Sequence, residues 1–112
     1  MKLNEDKLNN VTVDLNQLKA ERLNESFLAT FGFLVKNIMK RMFGDTSVPS
    51  FNIKGNHSDV TAFTRAISGE KRYMDALKQY GLDDPRTFRT QSELKNAINS
   101  FERTTGLRWP FE

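Results

Sequence analysis

The stretch DLNQLKAERLNESFLATFGFLVKNIMKRMFG, residues 14–44, decides the predicted fold of this chain. Apolar side chains recur in it at intervals of three to five residues, which is typical of an amphipathic helix. Asp14 is a favourable N-cap with Gln17 completing a capping-box-like pair, and Gly44 is favourable just beyond a last helical turn. The pattern therefore predicts one long amphipathic helix over residues 14–44.

The second half of this predicted helix is apolar over a wide arc. Its apolar residues are Phe27, Leu28, Phe31, Phe33, Leu34, Val35, Ile38, Met39, Met42 and Phe43. A helix with so broad an apolar surface needs cover on more than one side. Three interpretations are open: a core helix, a contact with other chains, or a helix lying on a membrane surface. The first two are compatible with each other, and the membrane is the least favoured.

Two apolar segments are candidates for contact with a partner. The first, called here the apolar contact set, consists of Leu23, Phe27, Phe31, Leu34, Ile38 and Met42. The second is the C-terminal stretch 107–111, which either folds back onto the core or docks on another protein. Tryptophan is enriched at binding hot spots, so Trp109 and Phe111 are the candidate anchors there.

The rest of the chain predicts a flexible arm over residues 1–13 and a compact β-α-α unit over residues 51–112. Residues 51–54 alternate like one short strand, which should pair near Thr87–Arg89 or with another chain because a lone strand leaves its backbone unpaired. Ser58 is predicted to cap a second helix, and the capping box of residues 90–93 to begin a third that ends at Gly106. The fold class is mainly α with a minor short β element, in a single domain.

Composition argues against most enzymes. The 112 residues suit one domain, and they include no Cys and a single His, so thiolate metal sites and Cys nucleophiles are excluded. His57 and the pair Asp83-Asp84 are explained by helix starts rather than by catalysis or cation binding. We therefore predict a protein that is not an enzyme, with no metal, no cofactor and no small-molecule substrate.

The sequence also favours a cytoplasmic location. Residues 1–10 lack the continuous apolar region of a signal peptide. The longest apolar run, residues 27–35, is too short to span a bilayer.

The net charge of +3 is mild for a nucleic-acid-binding protein. The candidate phosphate contacts are Arg65, Lys71, Arg72, Lys78, Arg86 and Arg89. Acidic residues such as Glu70 and Asp75 are interleaved with them, which is more typical of a solvated helix face. Nucleic-acid binding through the C-terminal helices is therefore the alternative function.

Three segments together resemble small virion or head-assembly proteins of tailed bacteriophages. They are FNIKG (51–55), GEKRYMDALKQYGLDDPRTF (69–88) and FERTTGLRWPF (101–111). The resemblance implies a non-enzymatic structural or assembly component, bound to copies of itself or to other virion proteins and close to packaged DNA. It also implies a place in the host cytoplasm or in the virion. Protein–protein contact is thus the expected mode of action.

Overall fold

The computed structural model describes residues 10–44 and 50–111, and the side chains of residues 12–40 and 52–111. The described residues are mainly helical, with four helices and one small sheet. The elements in chain order are β1 (Asn10–Asp14), α1 (Leu15–Glu21), α2 (Phe27–Gly44), β2 (Ser50–Lys54), α3 (His57–Tyr80) and α4 (Pro85–Thr105). The described residues form two compact units, one made of those up to Asn56 together with Pro110 and Phe111, the other of His57–Trp109.

The prediction of one long helix over residues 14–44 is wrong, because the helix is interrupted between Glu21 and Phe27. The backbone turns there, with the Asn24 N–H donating to the Glu21 carbonyl oxygen at 2.9 Å and the Phe27 N–H to that of Asn24 at 3.1 Å. Asn and Ser compete for backbone hydrogen bonds and so favour turns over helix interiors. The five-residue step from Leu18 to Leu23 marks the same break, where the apolar spacing departs from helical spacing.

The sheet consists of β1 and β2 in parallel, with Val13 opposite Ile53. Residues 10–13, expected in a flexible arm, therefore lie in a strand, while residues 1–9 are outside the described residues. The predicted pairing near Thr87–Arg89 is wrong, since those residues lie in α4. Parallel strands need a long crossover connection, and α1 with α2 supplies it.

Because β2 pairs with β1, it belongs to the first unit, and the predicted order of a long helix followed by a β-α-α unit is not found. The cap predicted for α1 is present: the Gln17 backbone N–H donates to Asp14 Oδ1 at 3.1 Å. The Gln17 side chain bonds to Glu21 instead, so the reciprocal half of the capping box is missing. The buried apolar residues of this unit are Val13, Leu15, Leu18, Phe27, Phe31, Val35 and Ile38.

The second unit is a helical hairpin of α3 and α4, joined by a short loop. Helix α3 begins at His57, one residue before the predicted cap, and runs unbroken through Ser68 and Gly69. Gly69 is buried, and a Cβ on it would lie 3.3 Å from the Leu94 Cα. The glycine therefore lets the two helix backbones approach closely.

Helix α4 begins earlier than the capping box of residues 90–93 predicts. Asp84 is its N-cap, accepting from the Arg86 N–H at 2.8 Å, and Pro85 occupies its first turn, where a missing N–H costs little. The capping-box residues therefore lie inside the helix, so that prediction is wrong. The predicted end is confirmed: Gly106 has φ 75° and donates to the Glu102 carbonyl oxygen at 2.9 Å.

None of the helices that the structure describes has both the length and the apolar character that crossing a bilayer requires.

Candidate functional site

The structure divides the apolar contact set between core and surface. Phe27, Phe31 and Ile38 are buried on one side of α2, and the rings of Phe27 and Phe31 lie 5.6 Å apart between centroids. Leu34 is half-buried, whereas Leu23, in the turn before α2, is 91% exposed. The side chain of Met42 is outside those described. The set therefore does not form one continuous surface.

Among the side chains described for α2, the large apolar ones that are exposed are ones that the contact set left out. Phe33 is 66% exposed and Leu28 is 42% exposed. Phe31 and Phe33 are two positions apart, which places them on opposite sides of a helix, so burial of one leaves the other outside. This two-residue spacing, inside the wide apolar arc, was the feature of the sequence that indicated an exposed position for Phe33. Together with Leu23 these residues are called the exposed apolar set below.

Lysines flank Phe33 along the exposed side of α2. Lys36 and Lys40 are both exposed and follow Phe33 by three and seven residues, so they share its side of the helix. Ala29, one turn before Phe33, is exposed as well. This side of α2 thus presents one aromatic ring beside two positive charges.

The C-terminal stretch folds back onto the hairpin at Trp109, which is 3% exposed. Its ring meets Phe101 edge-on at 5.1 Å and lies 5.9 Å from Phe63. The indole Nε1–H donates to Glu70 Oε2 at 2.8 Å, and the Trp109 backbone N–H donates to Glu102 Oε2 at 2.9 Å. Trp109 is therefore a core residue in this structure, and a role as a partner anchor would require it to leave these contacts.

Phe111 is half-buried. It is the more accessible of the two anchors considered for the C-terminal stretch.

Glu70 is a buried carboxyl group that sequence reasoning assigned to a solvated face. Burial raises its pKa, and the hydrogen bond from Trp109 partly opposes that rise. Its spacing in the sequence indicates the buried position. Glu70 follows Phe63 and Ile67 at helical intervals of four and three residues, and all three are buried. A polar group at such a position needs a buried donor, and Trp109 supplies it.

Three of the six candidate phosphate contacts face carboxylates of their own chain. Lys71 Nζ lies 2.8 Å from Asp75 Oδ2. Arg86 donates to both carboxylate oxygens of Asp84, at 3.0 and 2.9 Å, and its guanidinium lies 3.6 Å from the centre of the Tyr80 ring. The hydrogen bonds from the Arg86 side chain and backbone lower the pKa of Asp84 to about 2.

The third is Arg72, whose Nη1 lies 3.8 Å from Glu93 Oε2 with both side chains exposed. Arg65 and Arg89 are exposed and form no ion pair with any described residue. Lys78 is exposed and lies in the last turn of α3. The six basic residues are thus spread along the hairpin rather than gathered in one place.

Two of them, Arg65 and Arg72, do share a cavity, called here the polar groove. It lies between α3 and α4, has a volume of about 310 Å³, and is lined by Arg65, Arg72, Glu93, Asn96, Ala97 and Ser100. Asn96 also lines a second cavity of about 570 Å³ together with Asn99, Glu102 and Arg103. The polar residues of α4 were not singled out from the sequence, because their role depends on which side of α4 faces α3.

The other candidates for chemistry lie at the starts of helices. His57 is exposed at the first residue of α3, and Asp84 is the N-cap of α4. No group of three or more His, Asp or Glu side chains suited to a metal ion occurs within residues 10–44 and 50–111 where side chains are described.

Comparison of the chain with protein-family models, with curated proteins and with solved structures found no match.

Proposed function

We propose that this chain is a non-enzymatic structural protein that acts by assembling with copies of itself and, within a particle, with other proteins. The observation that carries the proposal is the exposed apolar set. Leu23, Leu28 and Phe33 lie within residues 23–33 and stay at least 42% exposed, although the opposite side of α2 is packed. Large apolar side chains left exposed on a helix whose other side is packed are candidates for burial against a partner.

Burial of these side chains supplies the free energy for the contact. Removing a Leu or Phe side chain fully from water contributes about 1.5–3 kcal/mol, before the cost of association is subtracted. Lys36 and Lys40 beside Phe33 favour a partner surface whose apolar pocket is bordered by carboxylates. The lysines then fix the orientation, and the aromatic ring provides most of the affinity.

The resemblance of residues 51–55, 69–88 and 101–111 to small virion and head-assembly proteins supports a tailed-bacteriophage particle as the setting of this assembly. The copies would be made in the host cytoplasm and incorporated in the virion.

Light scattering on the purified chain over a range of concentrations tests the proposal. We expect a defined oligomer, and we expect Phe33→Glu to reduce the mass to that of a monomer, because the substitution places a charge where an apolar ring is buried. Gln79→Glu is the matched control, since it adds the same charge at an exposed position of α3 and should leave the mass unchanged. A wild-type chain that is monomeric at every concentration would show the self-assembly proposal to be wrong, as would an oligomer that survives Phe33→Glu.

A further inference from the structure

The polar groove of the hairpin contains two arginines, of which one has no ion pair with a described residue and the other has a weak, exposed one. Arg65 is exposed and forms no ion pair with any described residue. Arg72 has one carboxylate partner, Glu93, at 3.8 Å, with both side chains about half exposed or more. An exposed pair at that distance contributes little free energy, so Arg72 can exchange Glu93 for a stronger anion.

The carboxylates near the groove are partly engaged elsewhere. Glu102 accepts a hydrogen bond from the Trp109 backbone N–H, and Glu70 points into the core, where it accepts from the Trp109 indole. Glu93 is the one acidic residue that lines the groove itself. The groove therefore carries two arginines against one carboxylate, and Arg103 lines the neighbouring cavity that shares Asn96.

The two arginines of the groove are separated along one helix. Arg65 and Arg72 are seven positions apart on α3, which corresponds to about 10 Å along the helix axis. The strands of a DNA duplex carry phosphates at regular intervals, so two cations on one helix face can each meet a phosphate of the same duplex. Guanidinium groups bind phosphate in bidentate fashion, and each arginine can take one phosphate without strain in the helix.

The remaining lining distinguishes a nucleic acid from an acidic protein. Asn96 and Ser100 offer neutral hydrogen-bond donors, and Ala97 is the one apolar residue among those that line the groove. Protein interfaces have an apolar core, whereas protein–DNA interfaces are more polar and more positively charged. Side-chain amides and hydroxyls also donate readily to phosphate oxygens.

We infer that the polar groove binds the phosphodiester backbone of duplex DNA, with Arg65 and Arg72 on phosphates of one strand and Asn96 and Ser100 donating to the phosphate oxygens beside them. This contact is independent of base sequence, because every group involved faces the backbone. It is also distinct from the exposed apolar set, which lies in the other unit of the chain.

The test is the salt dependence of binding to a short fluorescein-labelled DNA duplex, followed by anisotropy with the full chain. Two phosphate contacts predict a slope of log K against log salt of about −1.8, which is about a twelvefold loss of affinity between 50 and 200 mM salt. Arg65→Gln or Arg72→Gln should bring the slope to about −0.9, a loss of about three- to fourfold over the same range. Glu93→Gln should raise the affinity, since it removes the carboxylate that competes for Arg72.

Lys71→Gln is the matched control, because it removes the same charge from α3 at a residue that does not line the groove. We expect it to leave the slope unchanged, and circular dichroism should show all these exposed variants folded. The inference is wrong if the duplex does not bind, or if Lys71→Gln changes the slope as much as Arg65→Gln does. Binding of poly-glutamate in place of DNA, with the same dependence on both arginines, would assign the groove to an acidic polypeptide and would also overturn it.

Discussion

At the scale of single residues, the contact between Trp109 and Glu70 connects the C-terminal stretch to the hairpin core. The indole Nε1–H donates to the buried carboxyl group at 2.8 Å, and Phe63 and Phe101 surround the ring. Burying a carboxyl group without a donor is costly, so the two residues depend on each other. Within the aromatic cluster, the stretch after α4 is therefore held by the indole bond to Glu70 together with the bond from the Trp109 backbone N–H to Glu102.

Trp109→Phe should destabilise the protein by about 1–3 kcal/mol, because it removes the indole donor and leaves Glu70 buried without it. The free energy of unfolding from urea denaturation measures the effect. Glu70→Gln is the control, since its amide oxygen still accepts from the indole. Equal stability of Trp109→Phe and the wild type would contradict the importance of this hydrogen bond.

Glu70 also predicts a pH dependence of stability. Its pKa in the folded chain is raised above the ordinary value of 4.5, chiefly by burial. Between the two pKa values the native state holds the proton more strongly than the unfolded chain does, so this group lowers stability as pH rises through that interval. Glu70→Gln should remove this contribution, and unfolding free energies from pH 4.5 upward should decline less steeply in the variant. If the unfolding free energies of the wild type and Glu70→Gln changed with pH in parallel, this prediction would be wrong.

At the scale of elements, the close approach of α3 and α4 depends on Gly69. A Cβ there would lie 3.2 Å from Leu94 Cδ1 and 3.3 Å from the Leu94 Cα, and a backbone atom cannot move aside as a flexible side chain does. Serine and glycine are both weaker helix formers than alanine, so these residue types by themselves favour a break in the helix at Ser68-Gly69. Only the packing against α4 shows that the glycine serves the helix pair instead.

Gly69→Val should destabilise the hairpin by about 1–3 kcal/mol, because the added methyl groups overpack the contact with Leu94. Ser68→Val is the matched control, since it introduces the same β-branched side chain at the exposed neighbouring position. Thermal unfolding of the two variants gives the comparison. A Gly69→Val protein as stable as Ser68→Val would show that the helices can separate without cost.

Asp84, at the start of α4, should make stability depend on pH in the direction opposite to that expected for Glu70. Hydrogen bonds from the Arg86 side chain and backbone lower its pKa from 3.8 to about 2. A carboxyl group with a lowered pKa stabilises the folded state above its unfolded pKa, and that stabilisation is lost as pH falls from about 4 toward 2. Asp84→Asn keeps a good N-cap residue but does not titrate, so it should remove this part of the acid dependence. Acid titrations monitored by circular dichroism would show no difference if the bonds to Arg86 have no effect.

At the scale of the whole molecule, the two proposed surfaces lie in different units. The exposed apolar set belongs to the unit that contains α2, and the polar groove belongs to the hairpin. We therefore expect the two contacts to be separable by mutation. A single protein would then join chains through one unit and approach DNA through the other.

Phe33→Glu should abolish self-association yet keep the salt slope of DNA binding per chain. Arg65→Gln should halve that slope and leave self-association unchanged. Light scattering and anisotropy on the same two variants measure both properties. Loss of DNA binding by the monomeric Phe33→Glu protein would contradict independent surfaces, because it would mean that the groove acts only within an oligomer.

Local signals in the sequence were sufficient for features that depend on neighbouring residues. Asp14 caps α1, Gly106 ends α4, and the mainly helical class follows from the spacing of apolar residues. Each of these rests on hydrogen bonds or side-chain contacts within about one helical turn, where the identity of the residues suffices.

Contacts between distant residues required the tertiary structure. The parallel pairing of Val13 with Ile53, the bond from Trp109 to Glu70 and the sharing of one groove by Arg65 and Ser100 each join residues far apart in sequence. Local residue types leave many partners open for such contacts, because the entropy of closing a loop grows only slowly with its length. Which contacts form depends on the whole chain, because apolar side chains must be buried and buried polar groups must be hydrogen-bonded in the same fold.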